Sequence, residues 1–164
     1  MTNREFFIKT LETEMPVFLK VIKAVPKDKF DYKGHERGRP VGHITIQLSR
    51  QPVMISDVVN KGVLDFTVPY DAGVDKDNVE EEAEKTFSRV LADLRKISDD
   101  DWENGEAKMV WEGGEWKTKK YDMAWGMLFD AIHHRGQLSI YIRILGGKVP
   151  GIYGGSADEK PPGM

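Results

Sequence analysis

The chain has 164 residues, a formal charge of −3, 40% hydrophobic and 31% charged residues, and no cysteine. That length and balance describe one globular domain with room for a single sizeable core. Without cysteine there are no disulfides, thiolate metal ligands or cysteine nucleophile, and without a concentrated basic surface there is no footprint for nucleic acid.

No stretch approaches the roughly 18 unbroken apolar residues of a membrane span, so no membrane partner is expected. The opening MTNREFFIKTLETEMPVF is charged from its fourth residue and has no long apolar run, so no secretory leader is expected either. A cytoplasmic protein is the expectation.

The first helix is predicted from about Asn3 to Ala24. Phe7, Leu11, Met15, Phe18 and Ile22 recur at intervals of three and four and make one apolar stripe. Thr2 or Asn3 caps its start and Glu5 favours the positive end of its dipole. Pro16 interrupts the pattern and is expected to kink or divide the helix near Met15. A second helix is predicted from about Pro40 to Val59, with Val41, Ile44, Leu48 and Ile55 inward, a bend at Pro52 and a stop at Gly62. The segment from Leu64 to Lys76, which contains DFTVPYDAG, reads as an extended crossover.

A third helix starts near Asp77 or Asn78 and ends near Ile97, its stripe made by Val79, Ala83, Phe87, Val90, Leu91 and Leu94. The acidic EEEAEK at its start reads as a solvated helix end, as the dipole favours. AKMVWEGGEWKTK then reads as a β-hairpin turning at Gly113-Gly114, with Trp111 and Trp116 expected across from each other. A fourth long helix runs from about Lys120 to Leu145 and stops at Gly146-Gly147; residues 148–164 form a loop-rich tail. Four long helices and one small hairpin point to an all-α four-helix bundle in one domain spanning 1–164. The long connection between helices two and three allows an up-down-down-up order.

The last helix carries polar groups in its middle. Asp130, His134, Gln137 and Tyr141 fall on one narrow stripe, flanked by the core residues Leu128, Ala131, Leu138 and Ile142. His133 points about 100° away. A carboxylate and an imidazole four apart can share a metal ion, and the second helix offers His43 and Gln47 at the same spacing. The other reading is a hydrogen-bonded Asp130–His134 pair with His43 at the surface.

The run HHRGQLSIYIRILGGKVPGIYGGSADE, from His133 to Glu159, resembles the C-terminal segment of the DinB-like (DinB/YfiT) superfamily. YKGHERGRPVGHITIQLSRQP resembles that family's passage from an aromatic and basic loop into its second helix. The resemblance implies a four-helix bundle, often dimeric, and a homodimer here. It also implies a metal-dependent enzyme of hydrolase or thiol-transferase type, with three histidines around nickel, zinc or iron. His134 matches the last of those histidines; the one expected four residues earlier is Asp130, and the one on the second helix falls at Gln47, with His43 one turn before. The implied ligand set is therefore altered to His43, Asp130 and His134, with Gln47 at an expected ligand position. A carboxylate suits Zn²⁺, Fe²⁺ or Mn²⁺.

Gly136 is expected to let a neighbouring helix approach closely. Arg135 would bind a substrate carboxylate or pair with an acidic neighbour, and Gln137 would orient a ligand or serve as a satisfied polar neighbour. Tyr153 and Ser156 would close over the pocket or pack the tail. Two functions follow: a metal-dependent enzyme on a small molecule, or a non-enzymatic bundle that binds a small molecule or partner where the metal site has degenerated.

Overall fold

A computed structural model describes residues 1–160, which leaves positions 161–164 of the expected tail outside the described residues. Five helices and three strands follow in the order α1 (Asn3–Ala24), α2 (Val41–Lys61), β1 (Val63–Asp65), α3 (Val79–Lys96), α4 (Asp99–Asn104), β2 (Glu106–Trp111), β3 (Gly114–Lys119) and α5 (Lys120–Ile144).

The ends of α1 and α2 have the chemistry their sequences imply. Thr2 and Glu5 form a reciprocal capping box at the start of α1, satisfying two orphan donors. Gly62 closes α2 at φ 63°, a left-handed conformation that a side chain resists. Neither proline divides its helix, so of the two outcomes expected at Pro16, a kink or a division, division does not occur. Pro16 is exposed, as is Glu12 four residues before it, so the carbonyl left without a donor can turn to water.

Contacts between the helices give their directions. Arg4 reaches the Leu94 carbonyl and Lys23 reaches Glu84, so α1 and α3 run opposed. Asn3 Oδ1 accepts from the Trp125 indole and Glu14 pairs with Arg135, so α1 and α5 run the same way. Lys120 Nζ donates to the Val59 carbonyl and Gln51 meets Asp130, so α2 opposes α5. The main core lies among these four helices and is filled by Phe7, Leu11, Phe18, Leu48, Phe87 and Leu128, each at most 2% exposed.

The strands were only partly foreseen. The expected crossover begins with β1, which pairs parallel with β2, and β2 pairs antiparallel with β3. Leu64 of β1 is buried with Met54, Val58, Ala107 and Met123 in a small second core beneath the sheet. The hairpin register corrects the expected tryptophan pairing: Trp116 lies opposite Met109, and Trp111 lies opposite Gly114. The turn is Glu112-Gly113, with Gly113 at φ 87°, and the Trp111 ring fills the space where Gly114 lacks a Cβ. Unforeseen α4, capped by Ser98, buries Trp102 against Phe7 with ring centroids 5.1 Å apart.

Candidate functional site

Asp130 and His134 sit one turn apart on α5 at its junction with α2. His134 is 8% exposed and its Nε2 lies 3.3 Å from Asp130 Oδ2. The same carboxylate oxygen accepts from Gln51 Nε2 at 2.5 Å and, more weakly, from Gln47 Nε2 at 3.5 Å. Gln47 Oε1 in turn accepts from the Arg39 guanidinium at 2.8 Å. On its other side the imidazole places Nδ1 2.8 Å from Gln137 Oε1.

This arrangement polarises the pair. The hydrogen bond from His134 holds the Asp130 carboxyl below the usual aspartate value, against a burial penalty. The bond to Asp130 raises the imidazole, with Gln137 helping and burial and the Arg39 charge opposing. With a carboxylate oxygen facing Nε2 and an amide oxygen facing Nδ1, the surroundings of the ring favour its protonated form.

Two cavities lie beside this pair and share part of their lining. One, of about 490 Å³, is mostly apolar and is walled by Met54, Phe66, Val68, Tyr70, Met109 and Met127. The other, of about 410 Å³, is polar and is lined by His133, His134, Gln137 and Tyr141. Arg39, Gln47 and Asp130 line both.

His43 is exposed and lines the apolar cavity but not the polar one that His134 lines. Among the described residues, no group of three or more His, Asp or Glu side chains stands where it could hold a metal ion. Asp130 Oδ2 is already engaged by the Gln51 and Gln47 amides and by His134 Nε2. As arranged, these residues do not fit a three-ligand metal centre.

Comparison with known proteins places the chain. The DinB family model matches residues 1–163. The chain belongs to the DinB family. Its fold is shared with a DinB-like protein from Bacillus cereus ATCC 10987, at 16% identity and a TM-score of 0.71, over 91% of this chain and 97% of that one. A DinB-like protein from Bacillus subtilis (YjoA) matches with 16% identity and a TM-score of 0.69, over 89% and 96% of the two chains. No curated protein matches the sequence.

Within this DinB-family fold the other sequence candidates divide. Gln137 reaches the site through His134. Arg135 turns away from it: 2% exposed, it pairs with Glu14 of α1, donates to the Tyr153 hydroxyl at 2.6 Å and lies over the Phe18 ring. Tyr153 and Ser156 pack the tail, Tyr153 onto Glu14 and Ser156 onto the Val149 carbonyl. Gly136 is exposed, and no atom of its own chain outside its helix comes near the place of its missing Cβ.

Gln51 and Arg39 escaped the sequence reading. Gln51 continues the His43–Gln47 spacing by one more turn of α2, a signal that was present. The apolar wall drew on segments far apart in sequence, so no local pattern announced it.

Proposed function

We propose that this DinB-family chain is an up-down-down-up four-helix bundle that binds and transforms a small organic molecule in the cleft between α2 and α5. In this reading a substrate atom displaces Gln137 Oε1 from His134 Nδ1 and takes the proton there, while Asp130 at Nε2 keeps the ring charged. The observation that carries it is the position of Asp130 and Gln47 on both cavities: an apolar and a polar chamber share the wall that holds the Asp130 carboxylate. A molecule whose body lies against Met54, Phe66 and Met127 brings its polar end to that boundary.

An imidazolium with a raised pKa in a half-enclosed cleft is suited to protonate a leaving group or a developing oxyanion near neutral pH. Arg39 adds a second positive group at the same boundary. The polar chamber gives water or a second substrate its own approach, which suits a reaction of the hydrolase or transferase type.

Thermal-shift screening of small esters, amides and thioethers, followed by turnover assays on the hits, tests this. Ligand at a hundredfold excess over Kd stabilises by about 2.7 kcal/mol. Met127→Trp, which fills the apolar chamber, should remove that stabilisation. His134→Gln should keep binding and lose turnover. A hit that stabilises Met127→Trp as well as the parent overturns the placement, and binding without turnover makes the protein a small-molecule binder. Ni²⁺, Zn²⁺, Fe²⁺ and Mn²⁺ are titrated alongside. A metal-dependent rise in Tm that vanishes in His134→Gln would replace the proton-donor role with a metal centre on Asp130 and His134, with His43 or Gln47 as third donor.

A further inference from the structure

The apolar cavity changes character along its length. His43, Gln47, Arg50 and Met54 follow one another at i, i+4, i+7 and i+11, so they line it as one stripe of α2. From Gln47 to Met54 that helix rises about 10 Å. Met54 stands at the small second core, where Met109 and Met127 pack beside it. Gln47 stands at the other end, next to Asp130. One end of the cavity is therefore polar, and the other is made of thioether and hydrocarbon.

Arg39, in the loop just before α2, lines both this cavity and the polar one. Its charge is close enough to His134 to oppose protonation of the imidazole. Arg50, the other arginine of the apolar cavity, is already engaged: it donates to the Tyr70 carbonyl at 2.8 Å and pairs with Glu82. Asp130 and His134 answer each other's charge. Among the described residues Arg39 pairs with no carboxylate and donates only to Gln47 Oε1, at 2.8 Å. A neutral amide oxygen thus occupies a position where a carboxylate would bind more strongly, because it brings a full charge and two oxygens to the guanidinium fork. Asp71 is not on the wall that the two cavities share: it lines the apolar cavity and a third one, and not the polar cavity.

We propose that the ligand of this cleft is an amphipathic organic carboxylate, its carboxylate held by Arg39 in place of the Gln47 amide oxygen and its apolar body laid along α2 towards Met54, Met109 and Met127. The inference rests on the small-molecule reading above and adds the charge of the molecule and its direction in the cleft. The rise of α2 between the two ends sets the body that fits at about 10 Å.

Phenylbutanoate, its primary amide and phenylbutylamine share one body and differ in charge, so calorimetric titration of the three reads the preference directly. The carboxylate should bind the parent about tenfold more tightly than the amide, as a charged hydrogen-bonded pair allows, and the amine should bind most weakly. Arg39→Gln should remove the difference and leave the affinity for the amide unchanged. Arg39→Lys should restore only part of it, because an ammonium lacks the fork. Arg37→Gln, in the same loop but lining neither cavity, should change nothing. Met127→Trp should weaken the carboxylate and the amide alike. Equal affinity for carboxylate and amide overturns the proposal, as does a preference for the amine, or an equal loss from Arg37→Gln and Arg39→Gln. In each of those cases an amide that still fails to bind Met127→Trp leaves the small-molecule cleft standing without this ligand class. No binding of any of the three to the parent overturns the proposal too, and the screen of esters, amides and thioethers then judges the cleft by itself.

Discussion

His134 Nε2 stands 3.3 Å from Asp130 Oδ2, one turn away on the same helix, and the two groups shift each other's proton affinity in opposite directions. The imidazole is raised above its ordinary 6.5 and the carboxyl is lowered below its ordinary 3.8. The raised group stabilises the fold fully below 6.5 and loses that contribution as pH rises through its folded value. The lowered group stabilises above 3.8 and loses its contribution as pH falls through its folded value. Both describe one interaction, which is fully present between those limits. The Tm difference between the parent and Asp130→Asn should therefore be largest in that interval and shrink on either side of it. A difference that grows with alkaline pH would contradict the charged pair.

Gln51 holds the same carboxylate from the neighbouring helix, but its own Oε1 is buried with no hydrogen-bond partner. Gln51→Leu removes that unsatisfied acceptor together with the donor, and Asp130 is exposed enough to regain a water. The two effects oppose, so stability in urea should change by no more than about 1 kcal/mol. The Asp130 carboxyl, followed by NMR titration, should rise. Asp130 titrating unchanged would mean the Gln51 bond contributes nothing to its charge.

Arg135 and Glu14 are both buried, and each is the other's neutralising charge. Arg135→Met leaves a buried carboxylate with only the Tyr153 hydroxyl as donor and should cost about 3 kcal/mol or more in chemical denaturation. Adding Glu14→Leu should recover most of that loss, because the buried charge goes with it. A single substitution that costs as little as the double one would show that the pair is not a buried salt bridge in solution.

Gly42, near the start of α2, lies directly under the Phe30 ring, where an added Cβ would come 2.6 Å from a ring carbon. Gly42→Ala should lower the Tm despite the better helix propensity of alanine, with overpacking costing about 1–3 kcal/mol. The paired change Gly42→Ala with Phe30→Leu should restore part of the loss. A rise in Tm from the single change would mean that the loop carrying Phe30 moves freely.

The long helices were legible because a packed helix must repeat its apolar residues near every third and fourth position, and Phe7, Leu11, Phe18 and Ile22 do so whatever they pack against. Asp130 and His134 were legible for the same reason: helical spacing alone sets them on one line. The strand at Val63–Asp65 was not, since three residues carry too little alternation to read. The hairpin register was missed because two adjacent glycines offered two turns, and only pairing with β1 and the packing of Trp111 on Gly114 choose between them.

By itself the sequence determined which stretches are helical, where Gly62 ends one of them, and which polar side chains of α5 share a line. These depend on chain geometry within a few residues. Tertiary structure decided what those side chains meet: that Asp130 faces Gln51 across the groove, that Arg135 turns to Glu14 on α1, and that His43, Asp130 and His134 do not gather into one cluster. Such pairings depend on the rotation and offset of one helix against another, which the packing of the whole core sets and no local pattern encodes.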